Sequence, residues 1–110
     1  MKIGYYKTPS GRSPVEEFIL DLPKADQARF VEVYDGIRRH GLNYHEVTFR
    51  HLKGKLWEIK FSAPGGGYRV AYVLIDKESM FWLHVFKKTT QKTPKNDLWI
   101  AEKRMKEALL

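Results

Sequence analysis

The sequence predicts an α+β fold in the order β-α-α-β-β-β-α, a small antiparallel sheet with helices packed on one face. Three observations carry that expectation. In the first half of the chain apolar residues recur with the 3.6-residue period of amphipathic helices, after Leu52 the period changes to two, and Thr93-Pro94 opens a last helical stretch. At 110 residues there is material for one core and not for two, and no linker, repeat or low-complexity segment divides residues 1–110, so one domain is expected.

The elements follow in order. Ile3 to Lys7 reads as a short strand closed by the breakers Thr8-Pro9-Ser10-Gly11. Ser13-Pro14-Val15-Glu16 then supplies an N-cap, a proline at the first helical position and a capping-box glutamate. Val15, Phe18, Ile19 and Leu22 form the buried stripe of that helix, and Pro23 separates it from a second one striped by Phe30, Val33, Tyr34 and Ile37. Gly41, after Arg38, Arg39 and His40, is placed to end it. Leu56 to Phe61, Tyr68 to Ile75 and Met80 to Phe86 are rich in aromatic and β-branched residues and read as three strands. Their turns are Pro64-Gly65-Gly66-Gly67 and Asp76-Lys77-Glu78-Ser79, which makes a meander the economical topology. The glycine run lacks the Lys-Ser/Thr and helix start of a phosphate loop and is read as a flexible hairpin. In the final helix Leu98, Ala101, Met105 and Ala108/Leu109 face the core.

Composition limits the chemistry. Without cysteine there is no disulfide framework, no thiol nucleophile and no cysteine-based zinc site. His40, His45, His51 and His84 show no metal-ligand spacing, so no metal and no cofactor is expected. The N-terminal residues reach polar side chains at once, and no apolar run approaches the roughly 20 residues needed to cross a bilayer. A cytoplasmic protein without a membrane partner is the expectation.

The formal net charge is +7, and residues 50 to 95 hold ten Lys/Arg against three Asp/Glu, so this segment accounts for the whole surplus. Such a balance suits a polyanionic partner. Phe86-Lys87-Lys88-Thr89-Thr90-Gln91-Lys92-Thr93-Pro94 is a strand exit crowded with cations and hydroxyls. Lys87, Lys88 and Lys92, with Arg50, Lys53 and Lys55 ahead of the second strand, can follow a nucleic-acid backbone or, alternatively, form a solvated edge that discourages aggregation. Alternation puts Glu58 and Lys60 on the face opposite Trp57 and Ile59. Arg69, isolated between Tyr68 and Val70, needs a partner, either Glu58 across the hairpin or a phosphate. Tyr68, Tyr72, Trp82 and Phe86 are core residues or base-stacking platforms. His84 is a satisfied core histidine or a general acid.

Leu56-Trp57-Glu58-Ile59-Lys60, Tyr68-Arg69-Val70-Ala71-Tyr72, the Phe86–Pro94 run and Ala101, in this order and spacing, resemble the phage-derived, HigB-like branch of the RelE toxin superfamily over nearly the whole chain. That resemblance implies a RelE-like fold and the toxin of a type II toxin–antitoxin pair, an endoribonuclease that enters the ribosomal A site and cuts mRNA. The 2′-hydroxyl of the RNA would be the nucleophile and cations would stabilise the pentavalent phosphorus, without a metal. The same resemblance assigns Arg69 to the scissile phosphate and Lys87 and Lys88 to the transition state or leaving group. Glu58 would orient or act as base, and Lys55 and Lys53 match the basic residues before the Trp-Glu motif. Arg50, Lys60 and Lys92 complete the expected RNA-binding set. Glu46 falls where another branch of the superfamily keeps its general base, and the last helix lacks the tyrosine that some relatives use. The implied partners are mRNA on the ribosome and a helix-turn-helix antitoxin, in a hetero-oligomeric complex. The alternative is a non-catalytic RNA- or antitoxin-binding relative.

Overall fold

The computed structural model describes all residues, 1–110. Its elements are β1 (Lys2–Tyr5), α1 (Pro14–Leu20), α2 (Lys24–His40), a 3-10 turn (Gly41–Asn43), β2 (Thr48–Lys53), β3 (Leu56–Ala63), β4 (Gly66–Asp76), β5 (Ser79–Lys87) and α3 (Lys95–Ala108). The Ser13 hydroxyl accepts from the Glu16 N–H at 3.4 Å to start α1, with Pro14 at its first position. Gly41, at φ +59°, ends α2 in a conformation that other residues rarely adopt.

The α+β fold expected from the sequence is the one observed, with one strand more and a mixed sheet in place of the purely antiparallel one expected. The sheet order is β1-β5-β4-β3-β2. β3, β4 and β5 form the antiparallel meander, while β1 joins β5 in parallel, Ile3 opposite Met80 and Tyr5 opposite Trp82. The added strand, β2, pairs antiparallel with β3, Arg50 opposite Glu58, and carries a register irregularity between His51 and Lys53. Its sequence, Thr-Phe-Arg-His-Leu-Lys, has no clean apolar alternation, because an edge strand has one neighbour and keeps both faces half wet.

Two clusters flank the sheet. Ile59, Phe61, Tyr68, Val70, Tyr72, Trp82 and Val85 meet Val15, Phe30, Val33 and Ile37, so the α1–α2 hairpin covers one face. Leu56, Ala71, Val73 and Leu83 meet Tyr6 and Ala101, with Leu98 and Met105 packed beside them. α3 therefore lies over one end of the opposite face, where these four small or aliphatic strand residues present themselves. The other end of that face, around Glu58, Lys60 and Arg69, is met by the segment after β5. Tyr68, Tyr72, Trp82 and Phe86 are all buried, which makes them core rather than stacking platforms.

The glycine turn is a packed joint. Asp26, buried in the first turn of α2, accepts from the Gly65 N–H at 2.8 Å and from the Tyr68 hydroxyl at 2.5 Å. A Cβ on Gly65 would collide with that carboxylate, and Gly66 sits at φ +136°. The expected flexible hairpin is thus pinned to α2, and its glycines answer to close approach and a left-handed φ. Burial, then the Asp26 contact, pushes the Tyr68 phenol up to about 12.

Candidate functional site

Lys60 and Arg69 are cross-strand partners on β3 and β4, so their side chains leave the same face of the sheet, the face opposite α1 and α2. Glu58, two residues before Lys60, shares that face. Arg69 is 1% exposed and Glu58 0%, and both lie under the segment between β5 and α3. One Arg69 nitrogen donates to the carbonyls of Thr90 (2.6 Å) and Gln91 (2.8 Å), the other to the Thr93 hydroxyl (3.2 Å), with Glu58 Oε1 at 3.7 Å. Thr93 in turn donates to Glu58 Oε1 at 2.9 Å and accepts from Arg50 at 3.3 Å. Arg50 completes the cluster with an ion pair of 3.0 Å to Glu58 Oε2. That contact is off-axis for a hydrogen bond, and the Nε atoms of Arg50 and Arg69 have no hydrogen-bond partner.

The cluster anchors a loop. Three residues from three strands, Arg50, Glu58 and Arg69, tie Thr90, Gln91 and Thr93 to the sheet, so residues 88–93 run across its end instead of into solvent. Of the two partners considered for Arg69, Glu58 is present, reached diagonally, since its direct cross-strand neighbour is Ala71. The direct phosphate contact implied for Arg69 needs an exposed guanidinium, and the fold gives it a buried one.

Beside this loop opens a polar cleft of about 660 Å³. Lys60 and Ser62 line its sheet side, Lys88 to Gln91 its loop side, and His45, Glu46 and Thr48 the wall leading into β2. Lys88 is held at the mouth by its N–H bond to Gly67 O at 2.8 Å, and its Cβ lies 3.3 Å from where a side chain on Gly67 would begin. Tyr44 stands behind Glu46; burial and then the Glu46 carboxylate push its phenol up, and Arg29 opposes the shift. An anion entering the cleft meets two ammonium groups, the hydroxyls of Ser62 and the threonines, and, across the gap, a carboxylate and an imidazole.

Of the residues named from the sequence, Lys60, Lys88, Arg69, Glu58 and Arg50 gather at this end of the sheet. Lys87 reaches the other face, its Nζ 6.0 Å from the Tyr68 ring centroid. Lys53 pairs with Glu102 of α3 at 3.4 Å. Lys55 lies in the β2–β3 turn next to Leu56, five residues before Lys60 and on the order of 16 Å from it at strand rise. Lys92 is exposed on the loop. His84 holds α3 to the sheet: its Nε2 is 2.8 Å from Asp97 Oδ1 and its ring stacks on Phe86. No group of three or more His, Asp and Glu side chains converges with metal-holding geometry. The sequence did not single out His45 or Thr93 as site residues, since His45 is one polar residue in an irregular segment and Thr93 reads first as the start of the last helix.

A family model described as Phage derived protein Gp49-like (DUF891) matches residues 17–106, which include every residue of the cleft. The chain belongs to the Gp49-like family. This family is of the RelE toxin type, so the toxin-like character read from the Trp-Glu, Tyr-Arg-Val and basic-exit motifs holds at that level. Among curated proteins none matches the chain. In this Gp49-like protein the matched span begins inside α1, so β1 lies outside it while the sheet face with its cleft lies within. No helix is long and apolar enough to cross a membrane.

Proposed function

We propose that this Gp49-like protein is the toxin of a type II toxin–antitoxin pair and cleaves mRNA on the ribosome, with the RNA 2′-hydroxyl as nucleophile. The observation that carries the reading is the cleft in which Lys60 and Lys88 face Glu46 and His45. RNA brings its own nucleophile, so the protein must align it, stabilise charge on the phosphorus oxygens and move two protons. Lys60 and Lys88 take the non-bridging oxygens. Glu46 accepts the 2′-hydroxyl proton and His45, on the opposite side of the phosphorus, supplies one to the leaving 5′-oxygen. Arg69, Glu58, Arg50 and Thr93 are positioning residues that hold the loop bearing Lys88. Lys92, exposed on the loop, meets a neighbouring phosphate, whereas Lys87 on the other face and Lys53 and Lys55 toward the far end of the sheet add long-range attraction. A helix-turn-helix antitoxin encoded beside the toxin silences it by covering the basic face.

Burial of Arg69 favours a second reading, a non-catalytic relative that binds RNA or antitoxin through the same face. Incubating the purified protein with ribosome-bound mRNA separates the two. Cleavage is expected, falling about a hundredfold in Lys60→Ala or Lys88→Ala, the usual cost of one transition-state donor. Intact mRNA with the wild-type chain would reject the nuclease, and growth arrest not relieved by the neighbouring reading frame would reject the toxin.

A further inference from the structure

A second cavity of about 370 Å³ lies on the far side of the His45–Glu46 ridge, lined by Arg39, His40, Asn43 and Tyr44. His45 and Glu46 line both cavities, so a strand occupying the first passes over a two-residue ridge, about 7 Å at extended-chain rise, to reach the second. The wall is rigid. Gly36 of α2 leaves room for the Tyr44 ring: a Cβ there would collide with it. The exposed His40 imidazole is parallel to that ring within 9°, with centroids 6.2 Å apart. His40 thus lies offset beside a buried tyrosine while remaining exposed to solvent. Asn43, at the end of the 3-10 turn, brings an exposed amide with donor and acceptor side by side.

We infer that this cavity is a nucleobase subsite: the unpaired base next to the phosphate in the cleft stacks on His40, and Asn43 reads its edge. Unpaired RNA bases are recognised by an aromatic or planar platform together with hydrogen bonds to the base edge. An asparagine amide matches the adjacent donor and acceptor of adenine, so adenine is the expected base. Arg39 is held by Asp35 at 3.1 Å and closes the outer rim. The inference rests on the RNA reading of the neighbouring cleft and adds to it a position at which sequence is sensed.

Fluorescence anisotropy with short single-stranded RNAs that differ at one base tests it. His40→Ala is expected to weaken binding by about tenfold, within the range for loss of one stacking contact. Asn43→Ala should abolish the preference for adenine at one position while other bases bind as before. Neither change removes a backbone-facing cation, so the dependence of affinity on salt stays at its wild-type slope, whereas Lys60→Ala lowers that slope by about 0.7. Both substituted residues are exposed, and unchanged thermal unfolding verifies the fold. If the wild type binds RNA but both variants keep its affinity and base preference, the subsite is wrong and the cleft stands. If the wild type binds none of these RNAs, the subsite is wrong, and the nuclease reading is decided separately by cleavage of ribosome-bound mRNA.

Discussion

Replacing Arg69 by alanine is expected to destabilise the fold and release the 88–93 loop together. Removing one partner of a buried ion pair costs about 3–5 kcal/mol, because the remaining charge stays buried. Glu58 keeps Arg50 at 3.0 Å and the Thr93 hydroxyl at 2.9 Å, so the lower end of that range, about 3 kcal/mol, applies. For a chain of this size the loss amounts to a fall in Tm of roughly 12 °C or more. The carbonyls of Thr90 and Gln91, bonded at 2.6 and 2.8 Å, lose their donor and turn to water, so backbone amides of the loop should exchange hydrogen faster than those of β4. A double variant, Arg69→Met with Glu58→Leu, separates charge from anchoring. It removes the buried charge pair and should regain much of the stability. The loop stays released, since nothing replaces the guanidinium fork. Calorimetry with hydrogen exchange on the three proteins measures both effects. A Tm change of only a few degrees in Arg69→Ala, with the loop amides still protected, would show that this cluster does not hold the loop, and the positioning role argued for it would fail.

Two further outcomes concern the frame around the site. Asp26→Ala leaves the Gly65 N–H and Tyr68 hydroxyl without their acceptor and should cost about 2–3 kcal/mol in urea unfolding, as for hydrogen bonds to a charged group; an unchanged midpoint would contradict the packed turn. His84 is held below the usual imidazole pKa, first by burial and then by Arg104, against the opposing pull of Asp97. The unfolded chain therefore takes up this proton before the folded one does, so stability falls as pH drops below about 6.5 and recovers above it. His84→Gln should flatten that part of the stability profile; a profile identical to wild type would remove His84 as its source.

The helical hairpin was legible because its signals are local. Ser13-Pro14, the spacing of Phe30, Val33 and Ile37, and Gly41 act within a turn or two of where they stand. The meander was legible for the same reason. β2 was not, since Arg50, His51 and Lys53 owe their strand conformation to pairing with β3 and not to a pattern of their own. The candidate site divides along the same line. Arg69, Lys60 and Lys88 stand out as cations at strand positions, yet which of them faces the cleft depends on register: Lys87 differs from Lys88 by one residue and points to the other side.

Period, capping and charge, all properties of neighbouring residues, were enough to reveal an α+β chain with a cationic second half and the motifs of a RelE-type toxin family. Which cations share a cleft, why Arg69 is closed over by Thr90, Gln91 and Thr93, and how His45 and Glu46 come to face Lys60 depended on contacts between segments far apart in the chain. Those contacts arise from strand register and from the path of a single loop, and a linear string of residues encodes neither until the core has condensed around it.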